Sequence, residues 1–218
     1  MSDDLPLDAT EVRVLAVLAE KEQLTPDNYP MSLNAIVNGC NQLSSRDPVM
    51  ALSEPEVREI LDRLMAKKLA AEVSQAGARV AKYEHRMRLR WTLEQDKLAA
   101  LVMLMLRGPQ TSGEIRTRAG RMHEFGSVAA AESALQFLID KYPPLAARLA
   151  RAPGTKEPRY AHLLSGEPAA VDVAPSEVSA AAPVRQDRVA QLEQDVASLR
   201  EELAKLSQEF AEIRRLLE

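Results

Sequence analysis

The sequence holds a single cysteine, Cys40, in 218 residues. No disulfide can form within the chain, which points to a reducing compartment. Aromatic residues make up only 4%, which argues against a sheet sandwich and for a core of Leu, Ala, Val and Met packed between helices. Long apolar runs are missing too. The longest, residues 98–106, has nine residues, against the roughly 20 that a bilayer-spanning helix needs. The start, Met1-Ser2-Asp3-Asp4, is acidic and unlike a secretory signal. The expectation is a soluble cytoplasmic protein with no membrane partner.

Catalytic signatures are also lacking. There is no glycine-rich phosphate loop, nucleophile elbow or paired-carboxylate motif. His85, His123 and His162 fall in separate predicted elements, with no cysteine or carboxylate at metal-ligand spacing. Cys40 lies on an apolar helical stripe, which reads as a small core residue rather than a nucleophile. The sequence therefore predicts no enzyme, with no catalytic residue, metal, cofactor or small-molecule substrate.

What is present is helical patterning. Hydrophobic residues reach 46%, enough for packed cores. Asp8 and Glu11 form a capping-box start for a mostly buried helix to about residue 22. Pro26 and Pro30 bracket a turn, and Ser32 caps a second helix with Leu33, Ile36, Val37 and Cys40 on one stripe. After a loop at Arg46-Asp47-Pro48, Ser53 and Glu56 open a third helix with Val57, Ile60, Leu61 and Leu64 inward. Residues 69–88, turning at Gly77, read as a β-hairpin. The order then repeats: a helix over 94–106, a second from Thr111 and Glu114 to about Met122, and a third from Ser127 to Ile139. A hairpin follows over 145–151 and 159–164, with its turn at Pro153-Gly154.

Helix, helix, helix, hairpin, twice, is the element order of a winged helix-turn-helix. The fold expected is mainly α with small β-hairpin wings: two tandem winged-helix domains, residues 1–93 and 94–166. A flexible linker of Ala, Pro, Ser and Val is expected over 167–186.

From residue 187 the pattern changes again. Val189, Leu192, Val196, Leu199, Leu203, Leu206, Phe210, Ile213 and Leu217 alternate steps of three and four over four heptads. Such regularity predicts a coiled coil. Val189 and Val196 at a with leucine at most d sites favours a parallel dimer. The flanking pairs Arg188 with Glu193, Asp195 with Arg200 and Glu209 with Arg214 would attract across it. The competing reading folds this helix back onto its own chain, and Phe210 at an a site leaves a trimer or tetramer open.

Several segments resemble the signature of the bacterial YceH family, which is uncharacterised. In the first half these are Thr25-Pro26, Tyr29-Pro30-Met31-Ser32-Leu33-Asn34, Cys40-Asn41-Gln42, Arg46-Asp47-Pro48-Val49-Met50, Leu52-Ser53-Glu54, Arg79-Val80 and Lys82-Tyr83-Glu84. The second half adds Leu106-Arg107-Gly108, Gln110-Thr111, Gly113-Glu114-Ile115-Arg116, Arg118-Ala119, Arg121-Met122, Glu124-Phe125, Pro153-Gly154, Arg159-Tyr160 and His162-Leu163. The pattern departs at Ser44-Ser45, where the family often places Asn before the Arg. The resemblance implies a tandem winged-helix fold and brings no activity with it.

Charge weighs the usual role of such a fold. Lys plus Arg against Asp plus Glu runs 12 to 14 over 1–93, 10 to 7 over 94–166, and 6 to 11 over 167–218. A winged helix normally reads DNA with its third helix. Here that helix opens on Glu54, Glu56 and Glu59 in the first copy, and in the second it has no Lys or Arg before Lys141. Phosphates would meet carboxylates or nothing.

The nucleic-acid candidates are instead Arg79, Lys82 and Arg86 near the first wing and Arg116, Arg118, Arg121, Lys156 and Arg159 in the second copy. The competing reading gives these residues local salt bridges to Glu84, Glu114 or Glu124. Any DNA binding would be weak, backbone-directed and salt-dependent.

The partner-binding candidates are Asn34, Asn38, Asn41, Gln42 and Arg46. The three asparagines fall at i, i+4 and i+7, opposite the apolar stripe. They serve either as a polar recognition surface or as pins for the loop that follows. The expectation is a dimeric, non-enzymatic protein that binds itself and another protein; the alternative is a DNA-binding transcriptional regulator.

Overall fold

The computed structural model describes residues 6–73, 80–150 and 157–167. The expected turns at Gly77 and Pro153-Gly154, the linker and the coiled-coil residues from Val189 to Leu217 lie outside the described residues, as do Arg79 and Lys156.

The described chain is mainly helical with two small antiparallel sheets. Helix α1 (Ala9–Leu24) starts where expected: the Asp8 carboxylate accepts from the Thr10 and Glu11 amides at 2.8 and 2.7 Å, and Glu11 accepts from the Asp8 amide at 2.9 Å. After one 3₁₀ turn (Pro26–Asn28), strand β1 (Met31–Ser32) leads into α2 (Leu33–Cys40), whose Ser32 cap accepts from the Ala35 amide. Helix α3 (Glu54–Ala66) begins at the Ser53/Glu56 box, and strands β2 (Ala70–Val73) and β3 (Lys82–His85) follow.

A short helix, α4 (Met87–Trp91), occupies the end of the arm read as hairpin. Met87 and Trp91, four apart, both turn inward. Thr92, in the left-handed region at φ 49°, ends the turn.

The second half repeats the order with α5 (Gln95–Arg107), α6 (Ser112–Ala119), α7 (Val128–Asp140), β4 (Ala146–Arg148) and β5 (Tyr160–His162). Helix α6 stops three residues short of Met122, whose amide instead donates to the Ala119 carbonyl. In the first half β3 lies between β1 and β2, with Met31 opposite Tyr83 and Ala70 opposite His85. In the second, β4 pairs with β5, and Gln110 bridges Tyr160 just as Met31 meets Tyr83. The halves are thus alike down to the residue that joins the hairpin before the second helix.

The apolar cluster crosses the expected boundary at residues 93 and 94. Helix α1 is buried on every side from Glu11 to Glu20, and α5 from Leu98 to Leu106. A helix apolar all round must have neighbours all round. Helix α1 packs on α2 and α3 of its own half and on α5 of the other. Backbone bonds reinforce this: the Leu7 amide donates to the Leu164 carbonyl at 2.7 Å and the Asp47 amide to the Leu106 carbonyl at 2.8 Å.

Candidate functional site

The amide stripe on α2 divides into two parts. Asn41 pins the incoming loop: its side chain donates to the Leu52 carbonyl and accepts from the Leu52 amide, both at 2.8 Å. Asn34 and Asn38 are exposed, and among the described residues their side chains bond only to each other, Asn38 Nδ2 donating to Asn34 Oδ1 at 2.9 Å.

Arg46 is drawn inside rather than offered to a partner. It is 6% exposed, donates to both Glu20 oxygens at 2.6 and 3.2 Å, and also reaches the Gly39 and Ser45 carbonyls. Gln42 accepts from Arg46 Nη2 at 2.7 Å. Arg13, which sequence reasoning passed over, is buried beside it and donates to the Cys40 and Pro48 carbonyls. An arginine inside an apolar stripe gives no local signal of whether it will be satisfied by carbonyls.

Four of the six described cations proposed for nucleic acid have partners within the chain. Arg86 pairs with Glu84 at 2.8 Å. Arg116 donates to the Phe125 carbonyl at 3.2 Å. Arg118 and Arg159 converge on Glu114 at 3.2 and 3.3 Å, and Arg159 also bonds the Pro109 carbonyl. Among the described candidates, Lys82 and Arg121 alone have side chains with no hydrogen bond or ion pair to the described residues; Lys82 is half-buried and Arg121 exposed.

The two third helices differ in what they show to solvent. Helix α3 presents Glu54, Glu56, Glu59 and Asp62; its Arg58 pairs with Glu54, and its Arg63 with Asp8, Glu11 and Glu59. Helix α7 turns Ala131, Ala134, Leu135 and Leu138 inward. Outward it shows Val128, Ala129, Ala130, Glu132, Ser133, Gln136 and Phe137. Phe137 is 40% exposed, and Tyr142, just past the helix, is 99% exposed. Lys97 and Lys141 stand over the Phe137 ring at 5.4 and 5.1 Å from its centre. Position 137 falls off the buried 131/134/135/138 stripe, so helical phase alone could have marked it.

The buried titratable groups show no activated nucleophile. Burial pushes the Cys40 thiol up to about 12. Burial lowers the His162 imidazole to about 4, and its Nδ1 has no hydrogen-bond partner among the described residues. His85 Nδ1 accepts from the Met87 amide, which puts a ring proton on Nε2, 3.2 Å from Glu22. Among the described residues no three His, Cys, Asp or Glu side chains gather as a metal site. Nor is any described helix long and apolar enough to cross a membrane.

A family model described as "Protein of unknown function, DUF480" matches residues 7–155. A UPF0502 protein of Herminiimonas arsenicoxydans is 68% identical over 192 residues, covering 87% of this chain and 81% of its own length. One from Janthinobacterium sp. (strain Marseille) is 67% identical over 192 residues, covering 87% and 82%. A UPF0502 protein of Geobacter sulfurreducens is 47% identical over 197 residues, covering 88% and 90%.

Proposed function

The chain belongs to the DUF480 family of proteins of unknown function, and from that premise we propose that it is a non-enzymatic tandem winged-helix protein that docks another protein. The reading assigns residues 1–93 and 94–166 to the two winged helices, 167–186 to a linker and 187–218 to a parallel coiled coil that makes the dimer. The repeated order of three helices and a hairpin supports the winged-helix assignment, and the heptad pattern supports the coil.

The observation that carries the reading is the solvent face of α7. It occupies the place of a recognition helix yet has no cation of its own from residue 127 to 140; it exposes Phe137, with Lys97 and Lys141 over the ring, and Tyr142 is exposed just past its end. Phosphate recognition draws on cations along the helix; here the nearby lysines lie against Phe137, and Lys97 is also paired with Glu94 and Asp96. Protein docking is favoured by an exposed aromatic anchor.

The alternative, a DNA-binding regulator, draws on Lys82 and Arg121. Affinity capture with the full chain, with and without nuclease, separates the two. Partners that survive nuclease support protein docking, and partners that vanish with it favour DNA. Light scattering tests the dimer: the full chain is dimeric and a chain ending at residue 186 monomeric, and a dimer in the shorter chain would remove the coil from the account.

A further inference from the structure

A cleft of about 410 Å³ opens where the end of α1, one face of α2 from Ala35 to Gly39 and the β1–β3 ladder meet. Its cations are Lys21 and Lys82, and no carboxylate is among its lining residues. Lys82 sits opposite Ser32 in the ladder, and its ammonium has no partner among the described residues. The Lys21 ammonium is 3.4 Å from Glu20 Oε2, but that oxygen is already held by Arg46 at 2.6 Å. Two lysines therefore line one space, Lys82 without a partner among the described residues and Lys21 sharing the Glu20 carboxylate with Arg46.

The amides at the cleft are already oriented. Gln42 lines it, and because its Oε1 accepts from buried Arg46, its NH₂ remains available as a donor. Asn38 also lines it, and because its Nδ2 donates to Asn34, its Oδ1 remains available as an acceptor. Pro30, Met31 and Ala35 supply an apolar wall. Gly39 lets α2 approach α1 closely at this point: a Cβ there would lie 2.6 Å from Val17 Cγ1 and 3.8 Å from Lys21 Cε.

We propose that this cleft binds a small hydroxylated phosphomonoester. The phosphate is held by Lys21, Lys82 and the Gln42 amide, and a ligand hydroxyl donates to Asn38 Oδ1. Paired charge-assisted bonds suit a phosphate better than a neutral group, and the buried Arg46–Glu20 pair behind Gln42 fixes the donor before the ligand arrives. A smaller cavity of about 210 Å³ beside Arg13 and His162 is less suited to an anion, because Asp47 also lines it. The site lies apart from the α7 face and does not depend on protein docking there.

The test is an amide-resolved NMR titration of the full chain at constant ionic strength, using inorganic phosphate, ribose 5-phosphate and a duplex oligonucleotide as separate probes. Ribose 5-phosphate gives saturable shifts at Gly39, Lys82 and the Asn38 and Gln42 side-chain amides, and binds more tightly than inorganic phosphate. Lys82→Met weakens it about tenfold, the loss of one charge-assisted bond, with the remaining spectrum unchanged, while Lys82→Arg stays close to the parent.

Shifts that never saturate, or an affinity untouched by Lys82→Met, would overturn the assignment. A duplex that shifts the same amides more tightly than ribose 5-phosphate would overturn it in favour of nucleic-acid phosphate.

Discussion

Arg46 and Glu20 form a bidentate pair inside the protein, with Nη2 to Oε2 at 2.6 Å and Nη1 to Oε1 at 3.2 Å. Their side chains are 0% and 8% exposed. The pair binds the loop after α2 to α1, and through Gln42 it sets the orientation of an amide at the cleft. A buried pair broken on one side leaves an uncompensated charge. Arg46→Leu should therefore lower unfolding stability by about 3–5 kcal/mol, measured by urea denaturation. Glu20→Gln combined with Arg46→Met should recover part of that loss, because neither charge is then stranded.

Gly39 is a packing position rather than a turn. With Val17 Cγ1 2.6 Å from where its Cβ would be, Gly39→Ala forces α1 and α2 apart. The expected cost is about 1–3 kcal/mol. In a double-mutant cycle, Val17→Ala should relieve it, so that the combined loss is smaller than the sum of the single losses.

Acid should lower the protein's stability over two pH windows. Burial holds the His162 imidazole at about 4, against 6.5 for the free group. Between those values the unfolded chain takes up a proton that the folded one refuses, so stability falls as pH drops from 6.5 to 4. For Glu22, burial acts to raise the carboxyl, but the His85 imidazole 3.2 Å away and hydrogen bonds from Gln23 and Arg88 outweigh it and hold it at about 2, against 4.5. Its contribution is complete above pH 4.5 and is lost as pH falls towards 2. His162→Phe should flatten the upper window and Glu22→Gln the lower one, read from denaturation midpoints across pH.

The joint between the halves makes a separate prediction. Helix α1 buries Val12 to Ala19 partly against α5, so residues 1–93 alone would expose that apolar face to water. That fragment should aggregate or melt without cooperativity, whereas residues 1–186 should melt in one transition. Circular dichroism and calorimetry distinguish these outcomes.

Local signals in the sequence located most of the helices. The pairs Asp8–Glu11, Ser53–Glu56 and Thr111–Glu114 lie three residues apart, and each marks a helix start that the structure shares. Non-local features were not legible. Strand β1 exists only because Met31 finds Tyr83, 52 residues later, and α4 forms where alternation in the preceding arm concealed the inward spacing of Met87 and Trp91. The amide stripe was visible, but which asparagine would meet Leu52 depended on where the loop returned. Arg46 looked like a surface cation because Glu20 is 26 residues away. The cleft brings Lys21 and Lys82 together from opposite ends of the first half, which no spacing rule would reveal.

The most direct test of the docking account is affinity capture from native cells after nuclease treatment, comparing the parent chain with Phe137→Ser. Phe137 is 40% exposed and has Lys97 and Lys141 over its ring, so the substitution should cost about 1–2 kcal/mol, and capture is compared at a temperature where urea denaturation shows both chains folded. The account predicts a nuclease-resistant protein partner captured by the parent and lost, or reduced about tenfold, with Phe137→Ser. Partners that disappear with nuclease while Phe137→Ser captures as well as the parent would contradict it.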